Sequence, residues 1–399
     1  MHCGGMETFL LRLGRYLREQ DCQVEVITTL QPGEWFGKWS KLRIEAAHVA
    51  GYDRSGLGGP FSHSWRVGSK LIAGNYDAIL LNHTRHAQAS LARLPEHTVA
   101  IPILHNDVGH IYDVGCGNQD AWNVAVAVSP KVAASAGMRV PDRPVVQISS
   151  GVDLPSESSW HSRKTIGERV ELIFIGRIEH AQKGVLWLPD IYKACLSRGI
   201  DAALTIVGDG PDAHALGAKL TGYGLLERTR LLKGLSPETV YELLLQSHIL
   251  LMPSLYEGLP IALLESQACG CVPVASRLPG ITDTSVDNGD AGFLVEVGDV
   301  SGFADAVAVL AGDPARWALM SRAGHEKIRR SFSVPSMGAA YLQLIRDSME
   351  GRYPLPRPRK NQRPIDVRLF PWREFLPNGL RRLGRRGRTW LASLSTRPG

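Results

Sequence analysis

Residues 252–270 read M-P-S-L-Y-E-G-L-P-I-A-L-L-E-S-Q-A-C-G, which places Glu257 on a Gly/Pro turn and Glu265 in the apolar run behind it. Proline favours the first turn of a helix, because its missing N–H would be unpaired there and its φ is already helical. We therefore expect a helix that begins near Pro260 and carries Glu265 about one and a half turns along. Because a helix N-terminus has free N–H groups and a positive dipole end, the turn predicts a site for phosphate or another anion. A solvated helix face preceded by a loop glutamate is the alternative.

Short apolar strands alternate with helical segments on both sides of this turn, which is typical of doubly wound α/β domains. A chain of 399 residues exceeds the size at which one core stops growing, so we expect two such domains. The predicted divisions are a first domain over residues 1–152, a linker over 153–169, a second domain over 170–334, a crossover helix over 335–350 and a basic tail over 351–399. The Gly4-Gly5 turn should follow a strand, yet only three residues precede it. Either the true start lies upstream of Met1, or the first domain lacks its first strand.

Composition argues against several classes of protein. No apolar run reaches the roughly 18 residues that span a bilayer, and the N-terminus lacks a signal-peptide pattern, so we expect a cytoplasmic protein. Six scattered cysteines without a C-x-x-C pair argue against a zinc site or a disulfide framework, and predict buried reduced thiols. The net charge of +6 is concentrated in residues 351–399, which carry 13 Lys and Arg against two acidic residues. The acidic remainder argues against nucleic-acid binding.

The basic tail mixes Arg with Leu, Phe and Trp after a Pro-rich opening. Such a mixture is suited to an anionic membrane surface, which predicts peripheral attachment to the inner face of the cell membrane. Disorder, or an arm packed on the first domain, is the alternative. The Gly-rich stretch 32–64, with Trp35, Phe36 and Trp39, has a similar pair of interpretations. Its aromatics either pack on the domain surface or contact an acceptor or a membrane.

Further residues that could bind an anionic ligand lie beyond two of the predicted strands. His105 comes after the strand 99–104, at the edge where open parallel sheets bind ligands, although a structural histidine would look the same. In the second domain a strand delivers Gly176 and Arg177, and Lys183 precedes the next helix. Arginine grips phosphate with two hydrogen bonds and lysine adds a point charge. Arg177 and Lys183 are therefore predicted to hold one diphosphate; side chains that only cover a loop are the alternative.

Taken in order, these motifs resemble the retaining glycosyltransferases of family 4, which have the GT-B architecture of two Rossmann-like domains facing across a cleft. The motifs are G-G-x-E at the start, the strand-borne histidine, G-R-x5-K-G, I-V-G-D-G-P and P-S-x-x-E-G-x-P-x-x-x-x-E-x-x-A-C-G-x-x-P-V-A-S. The resemblance covers residues 4–348 and is strongest over 172–295. It implies transfer of a hexose from a nucleotide diphosphate sugar to a polysaccharide or lipid-linked acceptor, with retention of configuration.

The resemblance implies a donor role for several of these residues. Arg177 and Lys183 would hold the donor diphosphate and stabilise it as it leaves. Glu265 would hydrogen-bond the nucleotide ribose, which leaves it unable to act as a general base. Gly234 would lie near the base of the donor.

The remaining implied roles concern the sugar and the acceptor. Glu257 would face the donor sugar, and His105 would approach that sugar from the other domain. The backbone expected to face the same sugar belongs to Gly258, Leu259 and Pro260. The turn expected to border the diphosphate and the acceptor is formed by Gly4 and Gly5.

The chemistry of the predicted reaction agrees with a site that needs no metal. Breaking a glycosyl–phosphate bond places negative charge on the diphosphate, and preorganised cations aimed at it contribute strongly to catalysis. The chain has no D-x-D motif, so Arg, Lys and a helix N-terminus are expected to replace Mg²⁺, with no cofactor beyond the donor itself. After Pro279-Gly280, Ile281-Thr282-Asp283 departs from the family's usual proline and glutamate, so we assign that loop no contact.

Two rival functions stay open at this point. One is a nucleotide-sugar epimerase, whose product sugar stays free. The other is a nucleotide-binding scaffold subunit that lacks transferase activity, which the abrupt start of the first domain favours.

Overall fold

The computed structural model describes residues 5–29, 44–49 and 59–371, which form two α/β lobes joined by a linker. Within these ranges the strands pair in parallel, in three sheets. The strands are β1 (Glu25–Thr28), β2 (Glu45–His48), β3 (Ala78–Asn82), β4 (Val99–Leu104), β5 (Ala125–Ala127), β6 (Val145–Gln147), β7 (Val170–Ile175), β8 (Ala202–Val207), β9 (Thr229–Leu232), β10 (Ile249–Met252), β11 (Val272–Ser276) and β12 (Phe293–Val295).

Helices connect these strands and cover the sheets. They are α1 (Gly5–Glu19), α2 (Pro60–Ala73), α3 (Arg85–Ser90), α4 (Gly109–Gly115), α5 (Pro130–Arg139), α6 (Glu157–His161), α7 (His180–Lys183), α8 (Leu188–Ser197), α9 (Ala213–Gly222), α10 (Pro237–Leu245), α11 (Ile261–Ala268), α12 (Val300–Gly312), α13 (Pro314–Ser331) and α14 (Val334–Met349). The alternation of strand and helix confirms the predicted doubly wound α/β class.

The C-terminal lobe is a six-stranded sheet in the order β12-β11-β10-β7-β8-β9. One face is covered by an apolar core around Phe174, Tyr192 and Trp317, and the other by a core that includes Leu250 and Leu263. The chain winds outward from β7 in one direction and from β10 in the other, so these two strands lie side by side where the order reverses. Open α/β sheets bind ligands at the carboxyl ends of the strands at such a point.

The N-terminal lobe contains the four-stranded sheet β3-β4-β5-β6 and the separate pair β1-β2. Strand β4 is buried at all six positions, so both of its faces are covered. Helix α1 contributes Phe9, Leu13 and Leu17 to the core of this lobe, at the helical spacing seen in the sequence. The carboxyl end of β4 leads directly to His105.

The end of the described chain returns to the N-terminal lobe. Helix α14 packs on α1, with Tyr341 edge-on to Phe9 at 5.8 Å between ring centroids. Residues 351–371 then form a strap along the same lobe. Within the strap Arg359 is 1% exposed, and Ile365 and Phe370 are buried against Ala89. This part of the tail is thus an arm packed on the first domain, and residues 372–399 lie outside the described residues.

The predicted strands and helices agree with the structure, with one local correction. The helix behind the Gly/Pro turn begins at Ile261, and Pro260 precedes it with an extended ψ of 107°. Cys116, Cys195, Cys269 and Cys271 are buried free thiols, as predicted, whereas Cys22 is only partly buried. The aromatics at 35, 36 and 39 lie outside the described residues.

Candidate functional site

The carboxyl ends of the two sheets meet across the cleft between the lobes. Gly258, in the turn after β10, forms an antiparallel bridge with Asn106, just beyond β4. A Cβ at Gly258 would lie 2.0 Å from the His105 carbonyl oxygen and 2.6 Å from Asn106 Cα. Only glycine, which has no Cβ, allows this approach of the two backbones. The predicted sugar-facing segments of both lobes are therefore adjacent.

Glu257 is buried just beyond β10, at the switch point where the strand order of the C-terminal sheet reverses. Only 4% of its surface is exposed. Its Oε1 accepts hydrogen bonds from Lys183 Nζ at 2.6 Å and from Ser254 Oγ at 2.8 Å. Gly184 follows Lys183 with φ +63°, and a Cβ there would meet the Pro253 carbonyl oxygen at 2.0 Å. This glycine lets the end of α7 pack directly on the turn after β10. The structure thus pairs the two residues that the sequence assigned to the sugar and to the diphosphate.

Arg177 and Gly234 lie nearer the surface. The Arg177 side chain is 64% exposed, and its Nε lies 3.3 Å from Glu179 Oε2. Gly234 follows β9 with φ +70° and is exposed. Arg177 and Lys183 are each paired with a different carboxylate, so their joint grip on one diphosphate stays a prediction.

Glu265 lies on the buried side of α11 and has a partner that the sequence did not suggest. Its Oε1 accepts a hydrogen bond from Arg12 Nη2 of α1 at 2.7 Å, across the interface between the lobes. Burial raises the pKa of the Glu265 carboxyl, and the Arg12 guanidinium opposes that rise. The charged pair explains how a carboxylate is kept in an otherwise apolar helix.

His105 is held as a neutral imidazole. Its Nε2 lies 2.8 Å from Asn82 Oδ1 at the end of β3, and its ring meets Phe9 edge-on at 4.9 Å between centroids. Burial, together with the nearby His83, lowers the pKa of His105 to about 4. His83 itself has φ +49°, and burial lowers its pKa to about 4 as well. The imidazole ring at this edge of the sheet is therefore uncharged near neutral pH.

The first turn of α1 lies beside the first turn of α11. A Cβ at Gly5 would stand 3.4 Å from Ile261 Cδ1, so the two helix starts are in contact. Leu259 and Pro260 are buried in the turn that precedes α11. Gly4 lies outside the described residues, and the role expected for Gly4 and Gly5 stays a prediction.

Three residues of this arrangement escaped sequence reasoning. Arg12 sits within the apolar stripe of α1, three positions after Phe9, and a charge on a buried helix face was the signal that could have found it. Asn82 is the last residue of β3 and Ser254 follows β10, but their pairing with His105 and Glu257 depends on the fold. In the described ranges, no group of three or more His, Cys, Asp and Glu side chains is arranged to hold a metal ion.

Two family models match the chain, one on each lobe. The model described as Glycosyltransferase Family 4 matches residues 3–155, and the model described as Glycosyl transferases group 1 matches residues 169–313. Both the cleft-lining histidine and the two glutamates fall within these matches.

Curated proteins with sequence similarity to this chain are also glycosyltransferases, at low identity. The chain is 31% identical over 157 residues, 38% of its length, to the N-acetyl-alpha-D-glucosaminyl L-malate synthase of Bacillus anthracis, and spans 40% of that protein. It is 26% identical over 344 residues, 82% of its length, to the D-inositol 3-phosphate glycosyltransferase of Mycolicibacterium smegmatis, and spans 75% of that protein. For several other relatives the chain spans about half of their length.

Solved structures share the fold. The Anabaena HepE protein, in complex with UDP and glucose, superimposes with a TM-score of 0.72 at 17% identity. The match covers 87% of this chain and 97% of that one. At this identity the likeness concerns the architecture of the two lobes.

Proposed function

The chain belongs to the family 4 glycosyltransferases and has the GT-B fold, and we propose that it transfers a hexose from a nucleotide diphosphate sugar to a polysaccharide or lipid-linked acceptor with retention of configuration. The observation that carries the proposal is the Lys183–Glu257 pair at the switch point of the C-terminal sheet, in the turn that meets His105 of the other lobe. The backbone contact between Gly258 and His105 supports a cleft site to which both lobes contribute.

These groups suit the charges of glycosyl transfer. As the glycosyl–phosphate bond breaks, negative charge grows on the diphosphate and positive charge on the sugar. Lys183, Arg177 and the N-terminus of α11 would stabilise the diphosphate, since preorganised cations and helix dipoles act strongly in a water-poor site. Glu257 would face the positive sugar, while neutral His105 would hydrogen-bond it without repulsion. Glu265 would hold the ribose and Gly234 would lie near the base.

We further propose that no metal takes part. Lys183 and Arg177 would supply the charge stabilisation that Mg²⁺ gives in other transferases. Activity of the purified chain should then be unchanged by EDTA and by added Mg²⁺. A rate restored only by a divalent ion would contradict this part of the proposal.

The experiment that tests the function is a donor screen with purified protein. Thermal shifts with UDP-, GDP- and ADP-sugars identify the donor, because a ligand that binds the folded state raises its stability. Transfer of radiolabelled sugar to lipid and polysaccharide acceptors is then followed with the wild type and with Lys183→Ala. Product sugar that stays free and epimerised would favour an epimerase, and nucleotide binding without any transfer would favour a scaffold subunit.

Peripheral attachment to an anionic membrane on the cytoplasmic side is a separate proposal. None of the helices in the described part of the chain is long and apolar enough to cross a bilayer. Residues 372–399, which carry seven Arg against one Glu, are the segment proposed to make the contact. Co-sedimentation with phosphatidylglycerol vesicles should be lost when the chain is truncated after residue 371, and equal binding by both proteins would refute it.

A further inference from the structure

We infer that Arg12 is a positioning residue of the donor site, which holds Glu265 from the opposite lobe and so couples nucleotide binding to closure of the cleft. The inference rests on the proposed function, because it takes Glu265 as the residue that binds the donor ribose. It concerns a residue that touches no reacting atom.

The guanidinium of Arg12 is the centre of a buried polar cluster between the lobes. The residue is 3% exposed, and besides Glu265 its Nη2 donates to the Tyr241 hydroxyl at 3.1 Å. Its Nε donates to Asp153 Oδ2 at 2.9 Å, and the Tyr241 hydroxyl donates to the Asp153 carbonyl oxygen at 2.9 Å. One side chain therefore connects α1, the linker, α10 and α11.

The cluster leaves one face of Glu265 available to a ligand. Its Oε1 is taken by Arg12, whereas its Oε2 has no hydrogen bond to any described residue, and 12% of the side chain stays exposed. An ionised carboxylate only accepts hydrogen bonds, which matches the two hydroxyl donors of a ribose. Arg12 favours that ionised form against the effect of burial, and it fixes the direction in which Oε2 points.

The same contact depends on the relative position of the lobes. Arg12 lies seven residues after Gly5, on the helix whose first turn touches Ile261 at the start of α11. Opening the cleft along this interface separates Arg12 from Glu265. A ligand that binds the oriented carboxylate therefore favours the closed arrangement, and by reciprocity closure favours the ligand.

Arg15 offers a matched control within the same helix. It also forms a salt bridge with Asp153, but it makes no hydrogen bond or salt bridge to Glu265, and its side chain is 39% exposed. If Arg12 only anchored α1 to the linker, neutralising either arginine would have the same effect on the donor site. If Arg12 acts through Glu265, only its own replacement affects nucleotide binding.

The first measurement is the affinity of UDP, GDP and ADP by calorimetry, for the wild type, Arg12→Gln and Arg15→Gln. We expect Arg12→Gln to weaken the best nucleotide by about 10- to 100-fold, the range for one charge-assisted hydrogen bond, and Arg15→Gln to change it less than about threefold. Nucleotide affinity should fall at a higher pH in Arg12→Gln than in the wild type. Without its cation Glu265 is protonated more easily, while Asp153, Tyr241 and Cys269 still face it. The nucleotide's own phosphate titrates equally in both.

A double-mutant cycle separates the role of Arg12 from a general loss of structure. Glu265→Gln removes the charge that Arg12 holds, so adding Arg12→Gln to it should weaken nucleotide binding by less than about threefold more. This double variant has no unpaired buried charge, so it serves also if Arg12→Gln alone does not fold. Additive losses, or equal effects of the two arginine variants, would overturn the inference while leaving the transferase proposal intact. A wild type that binds none of the three nucleotides would refute both.

Discussion

A methyl group at Gly258 should separate the two halves of the proposed site. In Gly258→Ala the new Cβ would stand 2.0 Å from the His105 carbonyl oxygen, and about 1.4 Å of movement is needed to reach an ordinary contact of 3.4 Å. Backbone atoms of both lobes form this contact, so no side-chain rotation can relieve it, and the cleft must open. A displacement of about 1 Å can cost about 100-fold in rate when reacting groups are held in position. We expect kcat to fall by at least that factor.

The assay is sugar transfer under steady-state conditions, with the nucleotide affinity measured in parallel. Because an opened cleft also separates Arg12 from Glu265, the affinity for the nucleoside diphosphate should fall too, by no more than the roughly 10- to 100-fold expected for Arg12→Gln. Gly217→Ala is the matched control in the same lobe, since a Cβ there meets nothing within 4 Å, and it should keep full activity. A Gly258→Ala enzyme with kcat within threefold of the wild type would show that the closed contact is not the reacting arrangement.

Three further predictions concern the charge of Lys183, the buried contacts of Arg359 and the pH dependence of stability through His105. Lys183→Ala should lower kcat/KM by an amount that corresponds to a loss of roughly 2–4 kcal/mol of transition-state stabilisation. Near-normal transfer by this variant would show that Lys183 does not stabilise the leaving diphosphate. Arg359→Met should destabilise the protein by about 3–5 kcal/mol in urea unfolding, because four hydrogen bonds to backbone carbonyls are lost, whereas the exposed neighbour Lys360→Met should change it little. The pKa of His105 is lowered from 6.5 to about 4 in the folded protein. As the pH falls, His105 is therefore protonated at a higher pH in the unfolded chain than in the native one, which favours unfolding. The thermal midpoint should therefore fall as pH decreases from 6.5 towards 4, and it should fall less in His105→Gln; equal pH dependence of the two proteins would contradict the assignment.

The sequence was sufficient for the architecture and for the local motif around Glu257. Alternating apolar strands and helical stripes specify two doubly wound lobes, and the Gly/Pro turn before α11 follows from the residue types alone. The partner of Glu265 was not predictable in this way, because it lies 253 residues away in the other lobe. The apolar stripe of α1 shows only that Arg12 faces inwards, and tertiary packing decides what it meets.

The tail shows a second limit of sequence reasoning. A count of basic residues treats all arginines of the segment 351–399 alike, and indicates an exposed cationic surface. Arg359 instead donates to the carbonyl oxygens of Pro95, Thr98 and Ala121 inside the N-terminal lobe. Burial lowers the pKa of the Arg359 guanidinium to about 10, and the nearby Glu96 opposes that effect. The charge pattern of a sequence shows that a side chain is ionic. It does not show which backbone groups that side chain will hydrogen-bond in the folded protein.

The return of α14 and the strap to the N-terminal lobe makes that lobe discontinuous in sequence. The chain passes between the lobes at two neighbouring places, since Val152 and Ser333 form a parallel bridge. Tyr341 and Phe370, from the end of the described chain, are buried in two apolar clusters of the N-terminal lobe. A chimaera that exchanged one lobe with a relative by a single crossover near residue 152 would pair α1 and β4 with a foreign α14. Two crossovers, near 152 and 333, are needed to move the N-terminal lobe as one folding unit.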